Sequence, residues 1–128
     1  MWTWRQNDGA LIREEKVVAF GYSGNGEGKN NPLMQAAVAV GPIPEGEWSI
    51  TEMIAHYGTH GPFVLRLEPK GDALGRAGFL IHGDSISNPG TASLGCIILP
   101  RTIRELVWYS GDRDLRVISG LTQEQQVA

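Results

Sequence analysis

Cys96 and His82 are the two side chains of this sequence best suited to covalent chemistry. His82 closes the apolar run Phe79-Leu-Ile-His82, and Cys96 opens Cys96-Ile-Ile-Leu99. Between them lies a stretch rich in Gly, Ser, Asn and Pro. If the two runs are neighbouring strands, that loop folds back and brings Cys96 beside His82. A thiol needs such a partner, because the thiolate is the nucleophile and an unassisted cysteine ionises poorly at neutral pH. An imidazole takes the proton and later returns it to a leaving amine. Gly95 lets a substrate approach the backbone closely, and the N–H groups of Gly95 and Cys96 could face its carbonyl oxygen as an oxyanion hole. Spacing alone favours a plainer reading, a small buried cysteine and a structural histidine, since catalytic pairs have no fixed separation.

The residue identities shift that balance. His82-Gly83, followed by Ser93-x-Gly95-Cys96 and an apolar residue, resembles the signature of the L,D-transpeptidase catalytic-domain family. Gly21-Tyr-Ser-Gly-Asn-Gly-Glu-Gly-Lys-Asn-Asn-Pro32, Val40-Gly-Pro-Ile-Pro-Glu-Gly46 and Gly75-Arg76 ahead of Phe79-Leu-Ile-His-Gly-Asp84 resemble one branch of it, the type VI secretion L,D-transpeptidase-like effector domains. The resemblance runs from about Val17 to Ile118. It implies Cys96 as nucleophile, His82 as base and the Gly83 carbonyl as the group that orients the imidazole. It implies no cofactor and no metal. The implied substrate is the peptidoglycan stem tetrapeptide, cut or exchanged through a Cys96 thioester, as an L,D-carboxypeptidase or L,D-transpeptidase. It also implies delivery to a target-cell periplasm and a cognate immunity protein. The broad family carries His where this chain has Leu94, and its loop is longer. A non-catalytic cell-wall-binding or phage-associated module of the same fold is the alternative.

Other side chains are candidates for substrate contacts. Arg76 could clamp a carboxylate bidentately, or form a surface ion pair. Asp84 could tune His82 or bind an ammonium, or cap the loop after the strand. Ser93 could bond His82 or the substrate, or serve the turn. Tyr22 opens a Gly-rich loop of the kind that carries binding on β scaffolds. Arg101 reads as a solvated helix residue. That loop is no phosphate loop, because Ser23 and Asn30 stand where Gly and Ser or Thr are needed. His56 and His60 are four apart, but Gly58, Gly61 and Pro62 argue against a helix. They read as loop residues at the cleft rim, with a zinc hydrolase using His56, His60 and His82 as a lesser alternative.

The elements that position these residues are mostly strands. The 128 residues, 41% hydrophobic, fit one domain, and Gly 17 with Pro 7 indicates many turns. Strands are expected around Trp2 and Trp4, then at Ala10–Arg13, Lys16–Phe20, Glu47–Met53, Phe63–Glu68, Gly78–His82, Cys96–Leu99 and Asp114–Ile118. A loop covers Gly21–Asn31, and one helical turn is expected over Pro32–Ala37. Gly41-Pro-Ile-Pro-Glu-Gly46 forms a rigid turn. The one full helix is Arg101–Tyr109, with Ile103, Leu106 and Val107 on its inner face, and residues 119–128 form a polar tail expected to fray. The fold class is therefore mainly β, an L,D-transpeptidase-like sandwich or barrel with one short helix after the nucleophile strand. A net charge of -3 with no basic stripe excludes nucleic acid. A single cysteine excludes disulfides and a four-thiolate zinc site. No apolar run reaches membrane-spanning length, and no secretory signal opens the sequence. The protein is expected to be made in the cytoplasm and exported by another route.

Overall fold

A computed structural model describes residues 1–127. Nine strands form one sheet: β1 Trp2–Arg5, β2 Ala10–Arg13, β3 Lys16–Phe20, β4 Tyr22–Ser23, β5 Gly46–His56, β6 Pro62–Pro69, β7 Leu80–His82, β8 Ile97–Ile98 and β9 Asp114–Ile118. Their order is β3-β2-β1-β9-β5-β6-β7-β8-β4, a barrel-like sheet that is nearly closed. The helices are α1 Arg101–Tyr109 and a short α2, Gln123–Val127. The tail expected to fray thus carries α2, while Ala128 lies outside the described residues.

Alternation drives the core. Trp2 and Trp4 point inward from β1, and Trp48, Ile50, Leu65, Leu67, Ile81, Ile97, Leu115 and Val117 join them. Most pairs are antiparallel, but β1 with β9 and β7 with β8 are parallel. A parallel return needs a long connection, and residues 83–96 supply it.

Three expectations are corrected. The Gly-rich segment is not all loop, because Tyr22–Ser23 pairs with β8 as the edge strand β4. β5 runs on to His56, so His56 is a strand end rather than a loop residue. On α1 the inner face holds Ile103, Arg104, Val107 and Trp108, and Leu106 is exposed. At 100° per residue the buried arc centres between Val107 and Arg104, which leaves Leu106 on its flank. Arg104 can sit inside because its guanidinium donates to three backbone carbonyls, Phe63 (2.9 Å), Leu99 (2.6 Å) and Pro62 (3.1 Å). It staples α1 to β6 and to the chain leaving β8.

Candidate active site

The register of β7 against β8 sets Cys96 and His82 on one face of the sheet. Ile81 lies opposite Ile97 and both enter the core, while His82 lies opposite Ile98 on the other face. Cys96 precedes Ile97, so alternation turns it to the His82 face. Both line one cleft of about 450 Å³, with Val38, Phe79, Leu94 and Gly95. His82 also lines an adjoining cleft of about 640 Å³ that contains Gly83, Asp84 and Arg101. The imidazole therefore stands between the two.

His82 is almost fully buried. Its Nδ1 lies 2.8 Å from the Gly83 carbonyl oxygen, which fixes Nδ1 as the protonated nitrogen. Nε2 is buried with no hydrogen-bond partner. Burial lowers the His82 pKa, the Gly83 carbonyl opposes this, His60 and Arg104 lower it further, and Asp84 raises it; the net direction is down. Cys96 is half-buried, with Sγ 3.8 Å from the Gly78 carbonyl oxygen. Burial pushes its thiol pKa up, against the Leu80 N–H and the Arg76 charge. Both directions favour the uncharged forms of the thiol and the imidazole.

The turn that carries Cys96 is held from behind. Ser93 is fully buried. Its hydroxyl donates to the Cys96 carbonyl (2.6 Å) and accepts from the N–H groups of Gly24 (2.8 Å) and Gly95 (3.0 Å). One donor and two acceptor sites are all a serine has, so none is left for His82 or a substrate. The Gly95 N–H is likewise committed, which narrows the oxyanion hole expected from the sequence to the Cys96 N–H. Ser23 Oγ donates to the Gly95 carbonyl (2.7 Å) and accepts from the Ile43 N–H (2.8 Å). Gly95 has φ +136°, and a Cβ there would stand 2.5 Å from Arg76 Nη2, so the position admits only glycine.

Arg76 is buried rather than poised as a clamp. Nη1 donates to the carbonyls of Gln35 (2.7 Å) and Pro42 (2.8 Å), and Nη2 to those of Gly41 (3.1 Å) and Leu94 (3.3 Å). The fork expected for a substrate carboxylate instead ties the Gly-Pro-Ile-Pro turn to the turn that carries Cys96. Asp84 accepts from Tyr22 Oη and from the N–H groups of Ser85 (2.8 Å) and Gly90 (3.0 Å), and Tyr22 Oη accepts from the Ala92 N–H (3.0 Å). These two side chains fold the loop between β7 and β8. Burial and the Asp84 bond push the Tyr22 pKa up to about 12. Burial raises the Asp84 pKa, but the bonds from Tyr22, Gly90 and Ser85 outweigh it and leave the carboxyl below its usual range.

Arg104 escaped the sequence reading of the site, Ser23 and Asn25 entered it only within the Gly-rich loop, and His60 was read at the cleft rim without its packing on His82. Asn25 Nδ2 donates to the Ser93 carbonyl (3.0 Å) and the Ala39 carbonyl (2.7 Å). The Gly-rich segment holding Ser23 and Asn25 was the only signal for them. His60 lines both clefts beside His82, whereas His56 is exposed and lines neither. Among the described residues no three His, Cys, Asp or Glu side chains converge as metal ligands, and no helix is long and apolar enough to cross a membrane.

No curated protein matches the chain. A family model described as the Tlde1 domain matches residues 18–119.

Proposed function

The chain belongs to the Tlde1 domain family, by name the type VI secretion L,D-transpeptidase effectors, and from that premise we propose that it cleaves peptidoglycan stem tetrapeptides through a Cys96 thioester. The observation that carries this reading is His82 itself, anchored at Nδ1 by Gly83 and with an unpartnered Nε2 at the Cys96 cleft.

In the proposed cycle His82 Nε2 takes the Cys96 proton as Sγ attacks the carbonyl between the L-centre of the third-position diamino acid and the terminal D-alanine. The C–S bond forms, and the carbonyl oxygen takes the negative charge facing the Cys96 N–H. The C–N bond then breaks, and His82 returns the proton to the departing D-alanine amine. Water attacking the thioester gives a carboxypeptidase, and an amine gives exchange or a crosslink. The acyl-enzyme is common to both. Ser93, Ser23 and Arg76 hold the nucleophile turn and touch no reacting atom. Action in a target-cell periplasm after type VI delivery, countered by an immunity protein covering the cleft, completes the proposal.

Disaccharide tetrapeptide should lose its terminal D-alanine when incubated with the protein and followed by mass spectrometry. Cys96→Ala should abolish turnover, and His82→Ala should lower it by about 10²–10⁴-fold. Full activity in Cys96→Ala overturns the mechanism. Binding to sacculi without turnover would favour a non-catalytic module instead.

A further inference from the structure

Among the described residues, His60 is the one side chain packed ring to ring on the proposed base. It ends the 3-10 turn Gly58–His60 between β5 and β6, half-buried, with its ring centroid 4.4 Å from that of His82 and the planes 44° apart. It lines the Cys96 cleft and the adjoining one, as His82 does. The turn is held by the Tyr57 N–H on the Gly61 carbonyl (2.9 Å) and the His60 N–H on the Tyr57 carbonyl (2.9 Å). The His60 ring also meets Tyr57, at 5.7 Å between centroids. The imidazole therefore has a second ring contact and a hydrogen-bonded seat on the hairpin. Among the described residues the His82 side chain makes one hydrogen bond, from Nδ1. The rest of its orientation comes from the groups packed around it in this buried place, and the His60 ring is one of them.

We propose that His60 is a positioning residue for His82, holding the imidazole against Gly83 with Nε2 unprotonated and dry for the Cys96 thiol. The inference rests on the reading of Cys96 and His82 as nucleophile and base. The groups facing His82 are the Gly83 carbonyl, Asp84 after β7, Arg104 from α1, Cys96 before β8, and His60 from the hairpin. Of these, His60 and Arg104 disfavour the imidazolium and Asp84 favours it. Arg104 is committed to three carbonyls and is part of the fold's framework. Of the two groups that disfavour the imidazolium, His60 is thus the one not committed to the framework.

The test uses two substitutions and two readouts. His60→Phe keeps a packed ring and removes the second imidazole, and His60→Ala removes both. NMR titration of the His82 ring should show its midpoint rise in His60→Phe, and the acid limb of kcat/KM on the tetrapeptide should move to higher pH with it. His60→Ala should lower kcat by about threefold to tenfold with KM little changed, the signature of a mis-set base. An unmoved His82 midpoint in His60→Phe overturns the proposal, because pure packing would leave it there. A kcat in His60→Ala equal to that of the parent protein also overturns it. A raised midpoint in a protein that never cleaves the tetrapeptide would sink the peptidoglycan reading and leave the role of His60 standing.

Discussion

Ser93 illustrates how much of the site is support rather than chemistry. Its three bonds tie the Gly24 N–H just past β4, the Gly95 N–H and the Cys96 carbonyl into one knot. Ser93→Ala leaves those groups unsatisfied in a buried place, and should cost about 1–3 kcal/mol in urea unfolding together with a fall in kcat. Arg76 separates two readings of a cation beside a cysteine. If it staples carbonyls, Arg76→Lys should lower Tm and leave the preference for a free over an amidated D-alanine terminus unchanged. A substrate clamp would show the opposite pattern. His82 and Cys96 could be singled out from sequence because they close and open neighbouring apolar runs, and the structure sets both on one cleft. Ser23 could not, since its partner Gly95 lies 72 positions away and no local pattern marks a distant hydrogen bond.

Elements with a clear period were read correctly from sequence. Ala10–Arg13, Lys16–Phe20, Arg101–Tyr109 and Asp114–Ile118 have the expected bounds. Tyr22–Ser23 is too short to show alternation and is defined only by its partner β8. The inner face of α1 was misjudged because a buried arginine breaks the apolar stripe. The two positions should therefore differ sharply. Leu106→Gln should change stability by no more than about 0.5 kcal/mol, as an exposed site does. Arg104→Ala should destabilise the protein by several-fold more in the same urea titration, since three buried carbonyls lose their donor.

At the scale of the whole molecule, the perturbed groups bound a pH range of stability. The folded pKa of His82 lies below its unfolded value near 6.5, so between the two the unfolded chain binds more protons and stability rises with pH. Asp8, Asp84 and Asp112 are all held below 3.8, and the stability they contribute above that value is lost as pH falls through their folded values. Cys96 and Tyr22 are raised, so stability falls as pH climbs past their ordinary 9.0 and 10.0. Thermal melts should show a plateau from about pH 7 to 9 and lower Tm on either side.

The two ends of the sheet order, β3 and β4, are separated in the chain by Gly21 alone. A Cβ at Gly21 would strike the Ile98 carbonyl oxygen at 2.0 Å, so the chain crosses the seam where no side chain fits. The same short segment carries Ser23 and Gly24 to the turn that holds Cys96. Closing the seam and assembling that turn should therefore coincide. During refolding from urea, turnover should return only with the last phase of tryptophan recovery, and no earlier species should hold a competent thiol.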